Sequence, residues 1–102
     1  MWIRTQNKQR IINSDQIVDI FISKTGTTIF AETTISALDK NLMVLGEYAN
    51  RDICLTVVES LSTVISSDTP VVTMPLGGEL DNWYKNIAEI ATANIVKKFK
   101  VW

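Results

Sequence analysis

The chain has no histidine, one cysteine, two prolines and four glycines among its 102 residues. The missing histidine excludes every Ser-His, Cys-His and His-metal catalytic scheme. A single cysteine, Cys54, cannot close an internal disulfide, which excludes the disulfide-stapled secreted class and fits a reducing compartment. Four-ligand zinc sites need combinations of Cys and His that do not exist here. So little glycine and proline excludes collagen-like and low-complexity classes. No apolar run exceeds four residues, against the roughly 20 needed to cross a bilayer. The opening Met1-Trp2-Ile3-Arg4-Thr5-Gln6-Asn7-Lys8 turns polar too early for a signal peptide, so we expect a soluble cytoplasmic protein with no membrane association. Positive charge is also scarce where it would matter. Residues 41–96 hold only Arg51 and Lys85 against seven acids, which argues against a broad phosphate-binding face.

What is present is ordinary for a globular protein. Hydrophobic residues make up 46%, charged residues 21%, and the net charge is −1. That composition argues against extended disorder, and the length suits one domain with one modest core.

The first half reads as strands. Met1–Thr5 and Arg10–Asn13 flank a polar turn, and Gln16–Ser23 and Thr27–Ile35 flank Lys24-Thr25-Gly26, where glycine supplies the positive φ of a tight hairpin. Val18, Ile20 and Ile22 alternate with Ile17, Asp19, Phe21 and Ser23. Ile29, Ala31, Thr33 and Ile35 alternate with Thr28, Phe30, Glu32 and Thr34. Leu42–Tyr48 continues the pattern. From Asn50 the period changes: Ile53, Cys54, Val57, Val58, Leu61, Val64 and Ile65 form the stripe of an amphipathic helix with Asn50 as N-cap and Asp52 in its first turn. A short strand at Val71–Met74 precedes the break Pro75-Leu76-Gly77-Gly78. A second helix follows from Glu79 to about Phe99, acidic at its start and basic at its end.

Ile3-Arg4-Thr5-Gln6-Asn7-Lys8, the Ile/Val-rich hairpin, Leu45-Gly46-Glu47-Tyr48 running into a helix, and Val72-Thr73-Met74-Pro75 occur in that order. This order resembles a family of small uncharacterised proteins of Gram-positive bacteria, their phages and mobile elements. The resemblance covers about residues 1–75 and implies a fold and a setting, not a reaction. Within it, Gly46 is expected to permit a bulge or close backbone approach. Tyr48 is expected to lay its ring on the core with its hydroxyl at the surface.

The expected fold is α+β: a mainly antiparallel sheet of about five strands with one helix packed on it, plus a C-terminal amphipathic helix. Residues 1–76 form the body and 79–100 the helix of a single domain. No residue is assigned a catalytic, cofactor-binding or metal-binding role, and no enzyme activity is expected. Cys54 reads as a small buried hydrophobe and not a reactive thiolate. Asp15 and Asp19, about 13 Å apart if both lie in a strand, read as solvated charges. Gly77-Gly78 lacks the remainder of a phosphate-binding loop and reads as a hinge.

Two surfaces are left. Leu80, Trp83, Tyr84, Ile87 and Ile90 form an apolar helix face that either docks on its own chain or contacts another copy or another protein. A protein–protein interaction module that self-associates, most simply as a dimer, follows from the second option. Lys97, Lys98 and Lys100, interleaved with Phe99 and Trp102, offer the alternative of an accessory protein contacting nucleic acid.

Overall fold

The computed structural model describes residues 1–33, 41–65 and 71–99. The elements in chain order are β1 (Trp2–Arg4), β2 (Ile11–Asn13), β3 (Ile17–Ile22), β4 (Thr28–Thr33), β5 (Asn41–Glu47), α1 (Arg51–Ser62), β6 (Val71–Thr73) and α2 (Leu80–Phe99). Single 3-10 turns at Ser14–Gln16 and Gly77–Glu79 lead into β3 and α2. The fold is α+β, as the change of hydrophobic period implies. Thr34 and Ile35, at the end of the strand expected over Thr27–Ile35, and Ser66, where the first helix is expected to end, lie outside the described residues.

The strands do not form one sheet of five. They form two sheets of three, in the orders β2-β1-β6 and β3-β4-β5. The pairings β1–β2, β3–β4 and β4–β5 are antiparallel, whereas β1–β6 is parallel. The physical reason is that the first hairpin takes its third strand from beyond α1, not from the neighbouring β3. Ile3 sits at the centre of that sheet, fully buried, opposite Ile12 and Val72.

Gln6 joins the sheets. Its backbone N–H donates to Leu45 O at 2.8 Å. Its side-chain amide accepts from Glu47 N–H at 2.9 Å and donates to Glu47 O and Pro75 O, each at 3.0 Å. The carboxamide thus pairs with Glu47 as another strand's peptide group would, and it also reaches Pro75, in the turn just after β6. Every donor and the acceptor of the group are used.

Local chemistry explains the remaining joints. Gly26 has φ of 81°, as the hairpin requires, and the Arg51 side chain packs directly against it. Asn50 Oδ1 accepts from Ile53 N–H at 3.0 Å to cap α1. The Glu79 carboxylate accepts from Leu76 N–H at 3.0 Å at the entry to α2. Gly46 serves both expected purposes. The β4–β5 register shifts beside it, between Ile29 and Phe30, and its bare Cα faces the Tyr48 ring. The Tyr48 hydroxyl, however, is not at the surface. It donates to Pro75 O at 2.8 Å inside the protein, because the turn after β6 folds over it.

A second register shift lies in β3, where Val18 is the extra residue between Ile17 and Asp19. It breaks the regular alternation, leaving Val18 62% exposed and Ile17 packed against the core with Ile20 and Ile22. The core is continuous. It runs from Ile3, Ile12 and Val72 of one sheet, through Cys54, Val57 and Leu61 of α1, to Ile29, Ala31 and Leu45 of the other. At roughly 1.5–3 kcal/mol for each large apolar side chain buried, these positions supply the main driving force for folding.

Candidate functional site

The α2 row is placed first. Trp83 and Ile87 are buried in the chain's own core, and Leu80, Tyr84 and Ile90 lie partly buried against it. The cause is the exposed rim of β6: Trp83 Nε1 donates to Thr73 O at 2.8 Å, so the indole both fills the core and closes that strand edge. Trp83 and Tyr84 meet edge to face with centroids 5.7 Å apart. This row is therefore not a free apolar face. Of the candidate nucleic-acid contacts, Lys97 and Lys98 fall in the last turns of α2, where no side chain is described, and Lys100 lies outside the described residues.

Cys54 is fully buried on α1. Burial pushes its thiol above the ordinary pKa, opposed by the nearby Arg51 guanidinium, so it stays protonated at neutral pH. Burial also raises Tyr48, with smaller contributions from Cys54 and Tyr84, and raises Tyr84, with contributions from Asp81 and Cys54. These three groups hold their protons; none has the lowered pKa of an activated nucleophile. Among the described residues no group of three or more acidic or cysteine side chains is arranged to hold a metal ion. Asp15 sits in the first 3-10 turn, its N–H donating to Asn13 Oδ1 at 3.0 Å, while Asp19 lies in β3.

Exposed apolar side chains cluster on the sheets. On the outer face of β2-β1-β6, Trp2, Ile11 and Val71 surround Arg4. The outer face of β3-β4-β5 carries more. Phe21 and Phe30 are directly paired across β3 and β4 and stack with centroids 5.5 Å apart. Phe30 in turn faces Val44, which is 45% exposed, and Leu42 beyond it is 52% exposed. Asp19 and Glu32 face each other on the same surface, and like charges in direct cross-strand opposition are destabilising.

The edge of β3 adds a second feature. Between β3 and α1 runs an open groove of about 330 Å³, lined chiefly by Ile17, Val18, Ile20, Val58, Leu61 and Ile65. A smaller cleft of about 230 Å³ lies where the 5–10 turn meets α2, with Lys8, Asn82 and Asn86 at its polar side. The alternation of β3 and β4 in the sequence points to the outer aromatic pair. The groove could not be found that way, because it depends on how α1 crosses the sheet and on the Val18 bulge. No helix among the described residues is long and apolar enough to cross a membrane. No family model matches the chain, and neither a curated protein nor a solved structure matches it.

Proposed function

We propose that this chain is a small non-catalytic protein–protein interaction module that associates with itself, most simply as a dimer. Its setting, on the resemblance of residues 1–75, is the cytoplasm of a Gram-positive host carrying a phage or mobile element. The observation that supports this reading is the apolar outer surface of β3-β4-β5, where half-buried Phe21 and Phe30 are contiguous with exposed Leu42 and Val44 across three strands. Contiguous apolar surface edged by charge is typical of contact surfaces between proteins. The contact surface belongs on this sheet and not on α2, since Trp83 and Ile87 are already committed to the core. Sedimentation velocity over a range from micromolar to millimolar tests the reading. A mass rising from monomer to dimer is expected. A monomer mass at every concentration overturns self-association.

A further inference from the structure

The geometry points to the partner and the register of that association: a second copy of this chain, paired antiparallel through β3 about a twofold axis at Phe21. This rests on the self-association proposed above and specifies where it occurs.

β3 is a strand of six residues that, among the described residues, pairs with β4 alone and so forms an edge. The other edges are short or occupied: β2 and β6 have three residues each, and Gln6 covers β5 at Leu45 and Glu47. Ser23 N–H donates to Thr28 O at 2.9 Å. That bond fixes the parity of the ladder, so Asp19 and Phe21 turn their backbone groups toward β4 while Ile20 and Ile22 turn theirs outward. Backbone groups on an open strand edge are a ready template for another strand.

A twofold axis at Phe21 sets Ile20 opposite the partner subunit's Ile22, and Ile22 opposite the partner subunit's Ile20. All four present outward backbone groups, so two reciprocal hydrogen-bonded pairs form. The side chains then fall into place by alternation. Ile20 and Ile22 lie on the α1 side of the sheet, partly buried against the core. The partner subunit's Ile22 therefore arrives beside Ile20, at the groove bounded by Ile17, Val58, Leu61 and Ile65. On the other face Phe21 meets the partner subunit's Phe21, extending the Phe21–Phe30 stack across both copies.

Charge selects this register. Asp19 faces Glu32, and among the described residues no basic side chain lies opposite it in the sheet. With the axis at Phe21, Asp19 lies opposite the partner subunit's Ser23, and the two copies of Asp19 stay well apart. Moving the axis one residue to Ile20 brings the two copies of Asp19 onto neighbouring diagonal positions. The first arrangement spares the acidic pair; the second adds to it.

Phe21→Cys tests the register directly. Facing residues of a non-hydrogen-bonded antiparallel pair have Cα atoms about 4.5 Å apart, within disulfide range. Mild oxidation followed by non-reducing electrophoresis is expected to convert most of the variant to a covalent dimer. The wild type, whose Cys54 is fully buried, and Leu55→Cys on the exposed side of α1 are expected to remain largely uncrosslinked. Two surface variants serve as a second arm that does not disturb packing. Ser23→Asp, which sets an acid opposite the partner subunit's Asp19, is expected to raise the dimer Kd in sedimentation by about fivefold, and Ser23→Asp combined with Asp19→Lys to restore it. If the wild type dimerises but Phe21→Cys crosslinks no better than Leu55→Cys and the charge exchange has no effect, this strand pairing is overturned while self-association through another face stands. If the wild type stays monomeric throughout, both fall.

Discussion

Substituting alanine for Gly46 drives a methyl group into Tyr48. A Cβ on Gly46 falls 2.9 Å from Tyr48 Oη, 3.0 Å from Cε2 and 3.2 Å from Cζ. The ring cannot simply swing away. Tyr48 is 6% exposed, and its hydroxyl is tied to Pro75 O at 2.8 Å. Gly46 does not have positive φ, so the backbone itself accepts alanine. On that ground alone the change would stabilise by about 0.4–1 kcal/mol through the unfolded chain. Against this stands overpacking, which costs about 1–3 kcal/mol, and a weakened hydrogen bond, about 1 kcal/mol more. The net expectation is a loss of about 2 kcal/mol, or roughly 8–16 °C in Tm for a domain of this size. Urea unfolding followed by tryptophan fluorescence measures it, with the slope unchanged if both states keep their compactness. Tyr48→Phe in the same background removes the nearest clashing atom, so the two losses should sum to more than the loss of the double variant. A Gly46→Ala protein as stable as the wild type, or more stable, would refute the packing argument, because its sign depends entirely on the ring.

Two further outcomes follow from buried polar groups. Thr33 is 4% exposed and its Oγ1 has no hydrogen-bond partner among the described residues. Thr33→Val keeps the shape and removes the unpartnered hydroxyl, so it should raise stability by about 1 kcal/mol, visible as a higher urea midpoint. Cys54, Tyr48 and Tyr84 hold their protons more tightly than their ordinary pKa values of 9.0 and 10.0 imply. The unfolded chain releases those protons first. Stability should therefore be level below about pH 8 and fall as pH rises through the alkaline range, with a shallower fall in Tyr48→Phe. A urea midpoint that is unchanged or higher at about pH 10.5 than at about pH 7 contradicts this.

Much of the architecture was legible because local rules set it. Ile29, Ala31 and Thr33 alternate as an inward row and are buried as such. Asn50 marks the start of α1, and Gly26 adopts the turn its position demands. The division into two sheets was not legible, because β1 chooses between neighbours by packing with residues far along the chain, and no local period records that choice. The Val18 bulge escaped for a related reason. A strand pattern counts residues, whereas a bulge changes the count only when the opposite strand is in place. For the candidate site, the Phe21–Phe30 pair could be read from the alternation, but the groove beside β3 could not. The α2 row was recognisably apolar, yet periodicity does not tell an intramolecular partner from an intermolecular one. Only the closure of the β6 edge by Trp83 decides where that row is spent.

The parallel β1–β6 pairing also sets an order of events. Gln6 finds one of its acceptors on Pro75, 69 positions later in the chain. During synthesis β1 emerges ahead of β2 to β5, yet one of its two neighbours emerges only after α1. The β3-β4-β5 meander and α1 are joined by short connections, so they can close early, at low loop entropy. β1 must wait. Strands this far apart in the chain, brought together this late, act as a latch on an already assembled middle, so removing β1 or disrupting β6 should release the first sheet as a unit before the rest of the molecule loosens.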